Sequence, residues 1–250
     1  MNSTSDKIIE INGLTAIIDD KVILSDIRFH ANRGEITVIL GSIGSGKTTL
    51  LKHLLGLYPS QKETISVLGI NPSQLDEKEE KLFYQQIGVF YQNVALLNSL
   101  TVAENVALPL EQHTDLSPVL IEKLVRIKLQ LVKLQDAYEK YPSQLSGGML
   151  KRAALARAIV MDPPLLFCDE PGAGLDPVSM ASLDELIINL KDLYGITVLM
   201  ITHEVSSILR IADRIIFLED GYMIFEGTLS EALNSDILSL KEFFNRGRGD

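Results

Sequence analysis

The stretch that decides the fold is Ile36-Thr37-Val38-Ile39-Leu40-Gly41-Ser42-Ile43-Gly44-Ser45-Gly46-Lys47-Thr48. Its first five residues are largely apolar and β-branched, as in a strand buried on both faces. From Gly41 onward it fits G-x-x-x-x-G-K-[ST] at every fixed position. Residues 48–55 then carry a helical apolar pattern, so the context is strand, glycine loop, helix. In such a loop consecutive backbone N–H groups turn inward toward phosphates, aided by the N-terminus of the following helix. The expected phosphate contacts are Gly41, Ser42, Ile43, Gly44, Ser45, Gly46, Lys47, Thr48 and Thr49. Lys47 is expected to reach the β- and γ-phosphates, and the Thr48 hydroxyl is placed to ligate Mg²⁺.

Downstream, the apolar run 165–168 ends in Asp169-Glu170. A carboxylate at a buried strand end, opposite Thr48, is placed to hold Mg²⁺ directly or through water. Glu170 follows at once, so it is expected to point away from Asp169 and to polarise the attacking water as general base. Between these motifs lies Leu145-Ser146-Gly147-Gly148-Met149, just before a helix starting near Met149. Ser146, Gly147 and Gly148 therefore offer N–H groups at a second helix N-terminus, a second anion site. One chain cannot wrap both sites around a single γ-phosphate if they lie on different lobes.

The bulk numbers bound the class. A chain of 250 residues is long enough for one substantial core, and 46% hydrophobic with 22% charged residues is ordinary for a globular protein. A net charge of −10 argues against a nucleic-acid partner, whose phosphates want a basic face. No apolar stretch approaches the roughly 18–20 residues of a membrane span. The polar start Met1-Asn2-Ser3-Thr4-Ser5-Asp6-Lys7 lacks the apolar centre of a signal peptide. The chain is thus expected in the cytosol, with any membrane role borrowed from partners. The one cysteine, Cys168, rules out an internal disulfide framework and is expected to be a small buried hydrophobe.

Along the chain, residues 8–11, 22–29, 36–40, 165–168, 197–201 and 215–218 read as strands. Residues 102–110, 118–134 and 148–159 read as helices, with Leu, Ile and Val at spacings of three and four. The pattern predicts an α/β core interrupted by a mostly helical insertion. The charged run 76–81 reads as a solvated helix face, the terminal Arg248-Gly249-Asp250 as chance, and the segment beyond Gly227 as one short helical tail.

Gly41–Thr48, Leu145–Met149, Asp169-Glu170 and Gly174-Leu175-Asp176-Pro177, in that order, resemble the ATP-binding subunits of ABC transporters over nearly the whole length. The resemblance implies a P-loop NTPase (RecA-like) α/β core with an antiparallel β subdomain and a helical ABC-specific subdomain. It divides a single domain, 1–250, into a catalytic core (1–92 and 159–230), a helical subdomain (93–158) and a C-terminal helical tail (231–250). It makes Gln92, in Val89-Phe90-Tyr91-Gln92-Asn93, a ligand that senses Mg²⁺ and the γ-phosphate. His203, after Thr197–Thr202, becomes the switch histidine on the γ-phosphate. The catalytic set is then Lys47, Glu170 and His203, and the metal set Thr48, Gln92 and Asp169. The cofactors implied are ATP and Mg²⁺. In this family the signature of one subunit covers the ATP held by the other, so a head-to-tail homodimer is expected, meeting at Gly174–Pro177. The pattern departs at one place: the aromatic that usually stacks on adenine would align near Ile18, and Ala16-Ile17-Ile18-Asp19 offers none.

A finer likeness runs through residues 51–57, 145–158 and 169–177 to the ATPases of Mla/Mce-type phospholipid transporters. Met149, followed by Lys151-Arg152 and Ala153-Ala154-Leu155-Ala156, carries much of it. The partners it implies are two copies of an integral-membrane permease, an Mce-domain lipid-binding protein and, in Gram-negative members, a small STAS-type protein. Residues 93–106 would line the groove for the permease's coupling helix. The place implied is peripheral, on the cytoplasmic face of the inner (cell) membrane. Two alternatives stay open. The chain could energise another ABC transporter, for amino acids, betaine or a lipoprotein, which would share every catalytic residue. It could be a soluble ABC ATPase of iron–sulfur cluster assembly, although that family carries Glu at the position of Met149.

Overall fold

A computed structural model describes residues 7–246. The start 1–6 and the Arg248-Gly249-Asp250 tripeptide lie outside the described residues. In chain order the elements are β1 (Lys7–Ile18), β2 (Lys21–Asn32), β3 (Ile36–Gly41), α1 (Lys47–Leu54), β4 (Ile65–Val67), α2 (Glu77–Gln85) and β5 (Ile87–Phe90). There follow α3 (Val102–His113), α4 (Pro118–Leu131), α5 (Gly147–Ala158), β6 (Leu165–Asp169), α6 (Pro177–Tyr194) and β7 (Thr197–Ile201). The chain closes with α7 (Val205–Ile211), β8 (Arg214–Glu219), β9 (Tyr222–Thr228), α8 (Leu229–Leu233) and α9 (Leu238–Arg246).

Six strands form one sheet in the order β5-β6-β7-β3-β8-β9, and three form a second in the order β2-β1-β4. The first five strands of the large sheet run parallel; β9 pairs antiparallel to β8. The small sheet is antiparallel throughout. The fold is the α/β P-loop architecture with an antiparallel β layer and a helical section.

The period of two along each strand divides the core. Val38 and Leu40, Leu166 and Cys168, Val198 and Met200, Ile215 and Phe217 face the helical side, where α3, α4 and α5 also pack. Ile39, Phe167, Leu199 and Ile201, Ile216 and Leu218 face the opposite side, against α1 and the small sheet. Strands buried on both faces need near-continuous apolar sequence, which is why β3, β6 and β7 were legible as short apolar runs. Helix starts are set locally. Capping boxes at Asp76/Glu79, Thr101/Glu104 and Thr228/Glu231 open α2, α3 and α8.

The structure corrects several boundaries. The strands expected at 8–11 and 22–29 are parts of the longer β1 and β2, whose pairing shifts register around Asn12–Ala16. Gly13 breaks the apolar alternation there, so the pattern reads as shorter than the strand. Strand β9 carries no period-two pattern in its sequence, because most of its residues are half-buried. The tail is two helices, not one; α9 is held through Phe243, which meets Phe217 edge-on with centroids 5.8 Å apart. The charged run 76–81 is the exposed start of α2, as expected, with Phe83 its one buried residue.

The loop between β5 and α3 is organised by Asn105, which has no exposed surface. Its Oδ1 accepts from the Leu97 N–H at 2.7 Å, and its Nδ2 donates to the carbonyls of Leu97, Leu100 and Thr101 at 2.9–3.1 Å. Removing the amide leaves several buried backbone groups unpaired. Asn105→Ala should therefore cost about 2–4 kcal/mol of stability, measured by urea unfolding of the full chain; an unchanged midpoint would show that water replaces the side chain.

Candidate nucleotide site

Parallel pairing brings the C-terminal ends of β3, β5, β6 and β7 to one edge of the large sheet, where α/β folds hold their ligands. The loop after β3 can exist only with glycine at its two tight points. At Gly41 (φ 152°) a Cβ would stand 2.1 Å from the Leu218 carbonyl oxygen. At Gly46 (φ 95°) it would stand 2.5 Å from Leu24 Cδ2. Between them Ser42, Ile43 and Gly44 are exposed. Gly46 caps α1 without any side-chain bond, which leaves the first-turn N–H groups of that helix available to an anion. The Lys47 ammonium donates to the carbonyls of Gly41 (2.9 Å) and Ser42 (2.8 Å) and to Ser45 Oγ (3.3 Å). Burial pushes its pKa down, partly offset by Glu170 and Asp169, so the cation faces both acids.

Asp169 is the last residue of β6, and burial followed by the Glu170 charge pushes its pKa up; Lys151 and Lys47 pull it back. Two carboxylates in succession thus face two lysines. Glu170 sits in the left-handed region (φ 46°), and its N–H donates to the Ile201 carbonyl at 2.8 Å. That turn carries its side chain to His203, two residues beyond the end of β7. The two side chains bond at 2.8 Å between Nδ1 and Oε1. A carboxylate only accepts, so Nδ1 carries the hydrogen. The other oxygen, Glu170 Oε2, is buried with no partner. Two faced lysines and an unfilled acceptor are what a Mg²⁺–nucleotide and its attacking water would complete.

Gln92, two residues past β5, is exposed on the same edge. Cys168 is fully buried, and its thiol is pushed well above its usual pKa, in keeping with a small core residue. Lys151 was missed: it is buried on α5, and its charge acts on Glu170 and Asp169. Its signal was available, since it lies one turn before the core residue Leu155 on the same helix face.

Ser146, Gly147 and Gly148 lie elsewhere. Ser146 caps α5, its Oγ accepting weakly from the Met149 N–H at 3.4 Å. The cavity beside it is lined by Met149, Arg152, Leu175, Ser179 and Leu183, with no residue of the glycine loop. The cavity at the glycine loop is lined by Ile23, Gly44, Gly46, Lys47, Thr48 and Thr49, with none of the signature. The two cavities share no lining residue. At the tip of the β1–β2 hairpin Ile17 and Val22 pair across the strands and are 63% and 60% exposed.

These features define a P-loop ATPase in which the helix start at Ser146–Gly148 lies at a separate cavity. The ABC transporter family profile matches residues 24–173, and the chain belongs to that family. It is 39% identical over 244 residues to the intermembrane phospholipid transport system ATP-binding protein MlaF of Haemophilus influenzae, covering 97% of this chain and 92% of that one. The probable ribonucleotide transport ATP-binding protein mkl of Mycobacterium leprae is 36% identical over 240 residues, 96% of this chain and 69% of its own. Among solved structures, the dimeric bacterial ABC transporter cassette MJ0796 superposes with TM-score 0.79 at 30% identity, over 88% of this chain and 98% of that one. The same cassette is also known as a post-hydrolysis dimer bound to ADP and Pi. The present chain is an ATPase of this family.

The tightness at Gly41 yields a direct test. Gly41→Ala should destabilise the chain by about 1–3 kcal/mol or more and weaken nucleotide binding, because the new methyl must displace the loop or the β8 backbone. Urea unfolding and fluorescent-nucleotide titration measure both; wild-type values for both would mean that the loop adapts freely.

Proposed function

We propose that the chain is the ATP-hydrolysing subunit of a phospholipid transporter of the Mla/Mce type and works as a head-to-tail homodimer with ATP at the interface. The observation that carries the chemistry is the unpartnered, buried Oε2 of Glu170, whose other oxygen is held by His203. A general base needs one oxygen free for the attacking water and a fixed orientation. Nδ1–H of His203 supplies the orientation, and Nε2, 3.7 Å from Glu204 Oε1, can donate to a γ-phosphate oxygen when the ring carries both protons. Lys47 exchanges the Gly41 and Ser42 carbonyls for phosphate oxygens, aided by the backbone of Gly41–Gly46 and the Thr48 and Thr49 amides. Thr48, Gln92 and Asp169 would hold Mg²⁺. A hydroxyl, an amide and one carboxylate suit an ion that keeps phosphate and water ligands. Bound there, it neutralises charge on the transferring phosphate. Adenine is held by apolar contact near Ile17, Val22 and Ile23 instead of by a stacked aromatic ring.

The dimer reading is supported by the separate cavities at Lys47 and Ser146. Ser146, Gly147 and Gly148 then meet the γ-phosphate held by the partner. Residues 1–92 and 159–230 act as the catalytic core, 93–158 as the helical subdomain and 231–250 as the tail. The likeness to MlaF, the ATP-binding protein of an intermembrane phospholipid transport system, supports the phospholipid substrate and a transporter partner; the partners proposed with it are permease subunits, an Mce-domain protein and a STAS-type protein. Among the described residues no helix is long and apolar enough to cross a membrane. The proposed place is accordingly peripheral, on the cytoplasmic face of the inner membrane, beneath the permease.

Glu170→Gln keeps an acceptor for His203 and removes the base. ATP binding should persist while turnover in the purified transporter falls about 10²-fold or more, and an ATP-bound dimer should accumulate. A variant that remains active would assign the water to another group. Gly147→Asp separates the two-chain reading from a one-chain site. A Cβ at Gly147 has no neighbour nearer than Leu175 Cδ2 at 3.9 Å, so the free chain accommodates it. In a closed dimer the new charge opposes the partner's γ-phosphate. ATP should still bind at Lys47 and turnover should be lost; wild-type turnover in the assembled complex would refute the shared site.

A further inference from the structure

Helix α5 sends two cations to one loop. Lys151, only 5% exposed, donates its ammonium to the Gln92 carbonyl at 2.8 Å and lies over the Phe90 ring, 5.7 Å from its centroid. Arg157 on the same helix donates to the Ala95 carbonyl at 2.7 Å and to the Val94 carbonyl at 3.0 Å. Three carbonyls in a run of four residues are therefore held by a single helix. The run needs holding. Val94 and Ala95 both have positive φ, 62° and 52°, a region that a β-branched residue rarely enters. Such a conformation persists only where its surroundings over-determine it.

The ammonium is costly to bury, and a neutral side chain would fill the space more cheaply. What a cation adds is a strong charge-assisted bond to a carbonyl and an attraction to Asp169 and Glu170, which lie within its field. Lys151 thus links three things: it bonds the backbone of Gln92, it lies in the field of the acid pair, and it is carried by the helix whose first turn holds Gly147 and Gly148.

We propose that Lys151 is a positioning residue that locks the Gln92 loop to α5, so that any shift of the Gly147–Gly148 helix end moves Gln92 in the same chain's nucleotide site. The lock itself stands on the contacts above; its consequence for Mg²⁺ rests on the proposed role of Gln92. Contact with the partner's nucleotide at the first turn of α5 then alters the metal ligand bonded one turn further along the same helix. Each chain would report the occupancy of its partner's site to its own metal ligand.

The test uses Lys151→Met, which keeps the length and removes both donor and charge, and Lys151→Arg, which keeps both. In the nucleotide-free full chain, hydrogen exchange at the amides of residues 94–97 should quicken about tenfold or more in Lys151→Met, with β3 and β6 as protected as before. Lys151→Arg should restore most of that protection. In the assembled transporter the Mg²⁺ concentration for half-maximal turnover should rise about tenfold in Lys151→Met, while Mg²⁺-free nucleotide binding stays unchanged. Wild-type exchange at 94–97 overturns the lock; faster exchange with an unchanged Mg²⁺ requirement overturns the coupling. Should Lys151→Met fail to fold, Lys151→Gln decides by the same Mg²⁺ measurement, and a wild-type requirement there refutes the proposal. If Glu170→Gln remains active while Lys151→Met frees the loop, the site assignment fails and the lock survives.

Discussion

Parallel pairing of β5, β6, β7 and β3 is the constraint on which everything else depends. Register alone sets Asp169 opposite Ile201 and runs both strands out at the same edge as Gly41. From there one backbone bond, Glu170 N–H to the Ile201 carbonyl, fixes where the acid turns and where the histidine begins. Residues as far apart in sequence as Lys47, Glu170 and His203 need no further device to converge. The strands must be apolar on both faces for this, and they are: Leu165–Cys168 and Thr197–Ile201 are buried throughout.

Charge is placed against this apolar frame sparingly. Asp169 and Glu170 are adjacent acids at a half-buried strand end, and the Glu170 charge raises the cost of ionising Asp169. Lys47 and Lys151 approach from the glycine loop and from α5, two elements on opposite sides of the sheet. The site is therefore a meeting of both halves of the core, and a displacement of either half is felt as a change in the field at the acids. That is a physical basis for linking movement of the helical side to the state of the phosphate, without requiring flexibility in the sheet.

The surface around the site carries the features a second copy would use. Ile43 is fully exposed at the apex of the glycine loop and Val178 is exposed at the start of α6, next to Gly174–Pro177. Exposed apolar side chains at a loop apex and at a helix start are easily covered on association. Each lies beside a residue lining one of the two cavities, which agrees with the shared-site reading proposed above.

Much was legible in the sequence because it is written in contiguous residues. The glycine loop, the acid pair, the signature and the buried strands are short motifs whose local geometry follows from residue type: glycine where a Cβ would strike Leu218 or Leu24, β-branched runs where both faces are buried. The helix beginning at Val102 was legible in the apolar spacing of residues 102–110, while its Thr101/Glu104 capping box came from the structure. Other features were decided only by the tertiary structure. The bond between Glu170 and His203, the buried amide of Asn105, and the hold of Lys151 and Arg157 on the Gln92 loop join residues that local pattern does not relate. The true lengths of β1 and β2 and the existence of β9 were likewise hidden, because those strands carry breaks and half-buried positions that pairing partners, not their own residues, stabilise. Motif and periodicity arise from the covalent neighbourhood of each residue, whereas the partners of a buried charge or amide are chosen by which distant elements pack beside it.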